Sequence, residues 1–197
     1  MNSPSSTITL RPFKTTDVED FVLWAGDDRV TRSTRWKTIT SKEEALAFIK
    51  EVCIPHPWRR SICIDDHSIG YISVFPGSGD DRCMAMIGYG LSVDYWGQGI
   101  TTKAVKMALP QVFEEFPDIV RLQAFADVEN KGSQRVLEKV GFLKEGHLRK
   151  YTYVKGEVKD HQKREIAGRE RHWNFEEAVQ MGQSKKIKRK RNISNFR

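Results

Sequence analysis

Ile87-Gly88-Tyr89-Gly90-Leu91-Ser92-Val93, followed after Asp94 by Tyr95-Trp96-Gly97-Gln98-Gly99-Ile100-Thr101-Thr102-Lys103-Ala104, is the most informative segment of the chain. An apolar strand runs into a glycine-rich turn, and the turn opens an amphipathic helix with Ile100, Ala104, Ala108 and Val112 on its buried side. The first N–H groups of a helix lack partners within it, and the helix dipole is positive there, so donors and field converge on one spot. That spot suits an anion, phosphate best of all. Gly97 and Gly99 keep side chains from standing between anion and backbone. The same two glycines equally suit a tight strand-to-helix turn that needs their dihedrals, and on this segment alone both readings stand.

Working outward, the other phosphate-binding and nucleophile patterns drop away. Thr102 occupies the third fingerprint position, where a dinucleotide fold wants glycine or alanine, and the strands upstream read as antiparallel, which disfavours a Rossmann oxidoreductase. There is no Gly-x-x-x-x-Gly-Lys-Ser/Thr loop and no Gly-x-Ser-x-Gly elbow. Before the turn, residues 58–64, 68–75 and 83–93 form three runs rich in Ile, Val, Tyr and Phe, separated by Asp65-Asp66-His67 and by a Gly/Asp-rich segment. They predict an antiparallel meander. Earlier still come a short strand over 7–10, a helix with a capping box from Thr16 to Glu19, an irregular segment over 27–40 holding Arg35 and Trp36, and a second helix capped by Ser41 with Glu44. After the helix over 100–116, interrupted by Pro110, the pattern predicts a strand over 120–125, a helix over 131–140 and a strand over 147–154. The fold class is therefore α/β or α+β, with a mixed, mostly antiparallel sheet flanked by helices.

The formal net charge of +7 is not spread over this domain. Eleven basic and four acidic residues lie in 161–197, and residues 1–160 hold 22 of each sign. The chain thus divides into a tail over 1–7, a neutral domain over 8–160 and a basic tail over 161–197 that reads as disordered. Cys53, Cys63 and Cys83 are odd in number and widely spaced, which favours free thiols in a reducing compartment, and the histidines show no metal spacing. No apolar run approaches the roughly 18 residues needed to cross a bilayer, and the start lacks a signal-peptide pattern. The expected location is cytoplasmic, without membrane contact.

A second informative stretch is Asp127-Val128-Glu129-Asn130-Lys131-Gly132-Ser133, continuing to Val136-Leu137-Glu138-Lys139-Val140-Gly141-Phe142. Asn130 is placed to cap a helix, Ser133 lies one turn inside, and Gly141 stops it. Together with Leu10-Arg11-Pro12, the segment from Tyr95 to Ala104, Glu145-Gly146 and Leu148-Arg149, these motifs give a chain that resembles the GNAT acetyltransferases over roughly residues 8–160. Within them it is similar to the branch typified by the ribosomal-protein N-terminal acetyltransferases RimJ and RimL.

The resemblance implies acetyl-CoA as cofactor and direct acetyl transfer to an amine in a ternary complex. It implies pantetheine along Leu91, Ser92 and Val93, where the fourth strand splays from the fifth, and pyrophosphate on Gly97, Gln98, Gly99, Ile100, Thr101 and Thr102. Thr101 stands where the family has a small residue. Asn130 and Ser133 are implied to contact pantetheine or the thioester sulphur. For the group that protonates the leaving thiolate, Ser133 is the choice by family position, with Tyr151 or Tyr153 behind it. Arg35 and Trp36 are implied to face substrate.

Acceptor chemistry follows from protonation. An α-amino group with a pKa near 8 is roughly one-tenth neutral at pH 7, whereas a lysine near 10.4 is neutral below about one part in a thousand. A peptide or protein N-terminus, or a small amine, needs only a water-relayed base; a lysine needs a stronger one. Asp65, Asp66, Asp94 and Asp127 are the candidate bases. Beyond residue 160 the family's apolar final strand is missing from the pattern, where His161-Gln162-Lys163-Arg164-Glu165 stands instead. The alternative reading is an acetyltransferase-like binding module whose Lys185-Lys186-Ile187-Lys188-Arg189-Lys190-Arg191 contacts nucleic acid or an import receptor and directs the chain to the nucleus.

Overall fold

The computed structural model describes residues 7–168. Strand β1 (Ile8–Arg11) leads through a 3-10 turn to α1 (Val18–Ala25), α2 (Asp28–Thr31) and α3 (Lys42–Phe48), whose end is a π-helical turn over Ile49–Cys53. Then follow β2 (Trp58–Ile64), β3 (His67–Pro76), β4 (Met84–Leu91), α4 (Ile100–Glu115), β5 (Arg121–Asp127), α5 (Lys131–Val140), β6 (Leu143–Val154) and β7 (Glu157–Ala167). The seven strands form one sheet in the order β1-β2-β3-β4-β5-β7-β6. Only β4 and β5 run parallel; every other neighbour is antiparallel.

Local signals account for most of these boundaries. Ser41 Oγ accepts the Glu44 N–H at 3.1 Å, and Glu44 reaches back to the Thr40 N–H at 3.1 Å, so α3 starts on its expected cap. The Thr16 to Glu19 box does not form. Buried Asp17 takes its place, accepting the Lys14 N–H at 2.8 Å and the Arg11 guanidinium at 2.7 and 2.9 Å, which ties β1 to the entry of α1. Asp65 and Asp66 turn the β2–β3 hairpin with φ of 51° and 65°.

The two faces of the sheet bury two cores. Helices α4 and α5 cover one face, where Leu109, Val112, Leu122 and Leu137 join Ile62, Ile72 and Val74 in a cluster almost closed to solvent. On the other face Phe21, Trp24, Ala45 and Ile49 of α1 and α3 pack with Trp36 and Tyr71. Each such large apolar side chain contributes about 1.5–3 kcal/mol when fully buried. Cys53, Cys63 and Cys83 are free thiols. No helix among the described residues is long and apolar enough to cross a membrane.

The expectation of a missing final strand is corrected. Strand β7 lies between β5 and β6, pairing from Arg121↔Ala167 to Asp127↔His161 on one side and from Leu143↔Glu165 to Val154↔Glu157 on the other. The sheet therefore extends seven residues past 160, the expected end of the domain. Its polar pattern has a physical reason. Glu165 accepts a salt bridge from Arg121 at 2.9 Å and Lys163 pairs with Glu145 at 3.2 Å, so charges on one face of the strand are neutralised by neighbouring strands while Ile166 enters the core. Residues 185–191 and the nuclear or nucleic-acid role expected of them lie outside the described residues.

Candidate active site

The site begins where two strands part. The parallel register of β4 with β5 runs only from Met84↔Arg121 to Met86↔Gln123, although β4 continues to Leu91 and β5 to Asp127. Ser92 N–H donates to the Ile69 carbonyl at 2.8 Å and Gly77 N–H to the Met84 carbonyl at 2.8 Å, which sets the parity of β4. Even-numbered residues turn their backbone groups to β3, so those of Tyr89 and Leu91 face the opening. Gly90 lets the Tyr71 ring pass, since a Cβ there would lie 2.7 Å from its edge.

The turn beyond β4 leaves a row of donors. Gly97 and Gly99 have φ of 77° and 78°, and a Cβ at either would meet nothing within 4 Å. Both glycines supply left-handed backbone and leave open space in front of it. The first helical bond of α4 runs from Lys103 N–H to the Gly99 carbonyl at 3.0 Å, and the N–H groups of Gly97, Gln98, Gly99, Ile100, Thr101 and Thr102 have no acceptor among the described residues. The Ile100 side chain is buried, so only its backbone is available. Two expected contacts are partly taken by the fold. Ser92 uses its N–H on Ile69 and its carbonyl on Tyr95, while the Leu91 carbonyl accepts the Trp96 indole N–H at 2.8 Å. Val93 N–H and the Leu91 N–H remain for a ligand. Gly99→Ala is expected to raise the KM for acetyl-CoA about tenfold or more, because its Cβ enters the space an anion needs, while strain at positive φ costs only about 1–2 kcal/mol of stability. Separate measurement of KM and thermal midpoint checks both parts.

Helix α5 brings Ser133 to the opening. Asn130 caps it, its Oδ1 accepting the Ser133 N–H at 2.9 Å. The Tyr89 hydroxyl lies 2.9 Å from Ser133 Oγ and 3.2 Å from its carbonyl. Burial pushes the Tyr89 phenol well above its ordinary value, offset only in part by the Ser133 hydrogen bond and the Arg164 charge, so it stays a neutral hydroxyl. Tyr89 was missed in the sequence, although it shares the parity of buried Ile87 and Leu91 and thus the face that α5 covers.

On the opposite face lies a cleft of about 490 Å³. It is lined by Arg32 and Ser33 after α2, by Asp127, Glu129 and Asn130 at the end of β5, and by Val154, Lys155, Glu157 and Lys159 of the β6–β7 hairpin. Lys155 Nζ donates to Thr31 Oγ1 at 2.9 Å, and Arg35 Nη2 to Thr152 Oγ1 at 3.2 Å, so the hairpin is tied to the α2–α3 segment across the cleft. Trp36 instead packs between Trp24, Phe48 and Tyr71 in the aromatic core. Of the four candidate bases only Asp127 lines the cleft. Asp66 is held well below the usual carboxylate range by Lys14 and then Arg11 in the β2–β3 turn, Asp65 shares that turn, and Asp94 is exposed in the turn after β4.

The structure separates the candidate proton donors. Leu122, Ala124 and Ala126 face α4 and α5, so Phe125 faces the other way, and Tyr151 stacks on Phe125 with centroids 5.1 Å apart. Ser133 and Tyr151 therefore lie on opposite faces of the sheet, and Tyr153 is 71% exposed.

Comparison with known proteins agrees with this architecture. Residues 7–143 match the acetyltransferase (GNAT) domain family. The probable N-acetyltransferase YjcK of Bacillus subtilis (strain 168) is 34% identical over 170 residues, which cover 79% of this chain and 91% of that protein. The putative ribosomal N-acetyltransferase YdaF of the same organism is 30% identical over 135 residues, 64% of this chain and 72% of YdaF. Among solved structures, Mycobacterium smegmatis RimJ in complex with CoA-disulfide has the same fold, with a TM-score of 0.74 at 23% identity over 89% of each chain.

Proposed function

Because the chain belongs to the GNAT acetyltransferase family, we propose that it transfers the acetyl group of acetyl-CoA directly to a primary amine, at a peptide or protein N-terminus or in a small molecule, within one ternary complex. The observation that carries this reading is the opening between β4 and β5 beyond Met86 and Gln123: free amides of α4 stand at its mouth, Ser133 on one face of the sheet and the Asp127 carboxylate on the other. Donor and acceptor then meet through the sheet rather than across its surface.

The residues present fit acetyl-CoA. Six N–H groups from Gly97 to Thr102 await an anion, and the unpaired N–H and C=O groups of β4 suit the amides of a pantetheine arm. Acetyl-CoA supplies a thioester whose carbonyl carbon takes the amine lone pair and whose thiolate departs. Asp127 holds the incoming ammonium and receives its proton through water. In the arrangement in which the Tyr89 hydroxyl donates to Ser133 Oγ rather than to the Ser133 carbonyl, the Ser133 proton is free to face the sulphur. Arg35 and the β6–β7 hairpin hold the acceptor side closed around the amine.

CoA release is the test. Peptides with a free α-amine are expected to give saturable turnover, with kcat/KM at least about tenfold above that of blocked peptides whose only amine is lysine, following the neutral fractions at pH 7. Failure to bind CoA in calorimetry would overturn the reading.

A further inference from the structure

Strand β6 carries an irregularity that the acetyl-transfer chemistry above does not explain. Leu148 pairs with His161 and Thr152 with Lys159, so Arg149, Lys150 and Tyr151 stand against Asp160 alone. Lys150 has a φ of 49°, a left-handed conformation that is uncommon and costly for a lysine. The holder is Asp160. Its Oδ1 accepts the Lys150 N–H at 2.8 Å and its Oδ2 lies 2.8 Å from His147 Nε2, so one carboxylate ties the middle of the bulge to the strand just before it. The backbone carbonyl of the same residue accepts the Val128 N–H at 3.1 Å, in the turn between Asp127 and Asn130.

A bulge bends its strand and re-aims one side chain. Here that side chain is Tyr151, which stacks on Phe125 with an interplanar angle of 11° and touches His161 with centroids 5.5 Å apart. Phe125 precedes cleft-lining Asp127 by two residues, and His161 pairs directly with Asp127 across the sheet. Tyr151, Phe125 and His161 thus form an aromatic row on the face of the sheet that carries Asp127, and the Tyr151 hydroxyl has no partner among the described residues. The neighbouring Thr152 is the residue that Arg35 grips.

We propose that Asp160 is a positioning residue for the acceptor: its carboxylate holds the three-residue bulge in the form that delivers the Tyr151 hydroxyl to the amine entrance, while its carbonyl anchors the turn that carries Asp127. The role in catalysis rests on the acetyl-transfer reading; the clasp itself does not. A single residue on β7 thereby sets the relative placement of two acceptor-side groups that belong to different strands.

The test combines kinetics with amide exchange on the full chain. Asp160→Ala is expected to raise the KM for a peptide amine about tenfold, the scale of one lost substrate hydrogen bond, and to leave the KM for acetyl-CoA within about twofold. Asp160→Asn keeps an oxygen for the Lys150 N–H and is expected to fall between the two. In the Tyr151→Phe background Asp160→Ala is expected to add little, because both changes remove the same contact. Amide exchange at Lys150 is expected to accelerate in Asp160→Ala, while Val128, held by the unaltered backbone carbonyl, stays protected. Additive effects on the amine KM, an equal rise in the acetyl-CoA KM, or unchanged exchange at Lys150 would each overturn the proposal. A wild-type chain that turns over no amine would sink the acetyl-transfer reading, and the positioning role in the reaction with it; the exchange at Lys150 and the place of Tyr151 in an Asp160→Ala crystal structure would still decide the clasp.

Discussion

A chain ending at Asp160 is expected to lose its cooperative thermal transition, whereas one ending at Gly168 melts as the full chain does. The shorter chain lacks seven of the eleven residues of β7, the strand that joins β5 to β6. With it go the ladder along the whole of β5 and the buried side chains of His161 and Ile166. Each backbone bond contributes only about 0.5–1.5 kcal/mol net, but a strand paired on both sides carries enough of them to match a total stability of about 5–15 kcal/mol. Strands β5 and β6 would face each other across an empty position with unpaired N–H and C=O groups, an arrangement that invites aggregation. Gly168 still belongs to this unit, because its N–H donates to the Val120 carbonyl at 2.6 Å and a Cβ there would strike the Phe113 ring. Far-UV circular dichroism during heating checks the expectation; a sharp melt of the 160-residue chain near that of the full chain contradicts it.

Replacing Asp127 by Asn is expected to lower kcat/KM for a peptide amine about a hundredfold at pH 7, within the usual range for losing a general base. The substitution is nearly isosteric, and Asn keeps the oxygen that accepts the Glu129 N–H at 2.8 Å, so the β5–α5 turn and the thermal midpoint are preserved. The pH dependence separates base from binding group. Below the amine pKa, near 8 for an α-amino group, most acceptor is protonated and the carboxylate is needed to take its proton; above it the amine arrives neutral. The ratio of wild-type to variant rates is therefore expected to shrink as pH rises through about 8. A loss that stays constant to high pH means that Asp127 binds the acceptor without accepting its proton. The KM for acetyl-CoA serves as the internal control.

These expectations draw unequally on sequence and structure. The strand, turn and helix from Ile87 to Ala104 were legible because their signals are local: helical spacing in α4 and two glycines at the positive φ of the turn. Asn130 as the cap of α5 and Gly141 as its end were legible for the same reason. Tyr89 was not singled out, because its hydroxyl finds Ser133 44 residues away, a contact that no periodicity records. Asp127 was one carboxylate among four until the cleft selected it. Trp36 and Arg35 were adjacent and indistinguishable, yet one fills an aromatic core and the other spans the cleft to Thr152.

The net charge of +7 shows the same division. The glycine-rich turn, the helices on either side of β5 and the family are legible in the chain, since each depends on residues a few positions apart. That 161–167 belongs to the sheet and that Asp160 closes a bulge beneath Tyr151 emerges from strand pairing in space alone. Strand β7 does not read as a strand, because Lys163 and Glu165 find their counter-charges on Glu145 and Arg121, which lie on other strands. Charge balanced across strands is invisible along one chain. The first residues of the basic segment are the strand that joins β5 to β6.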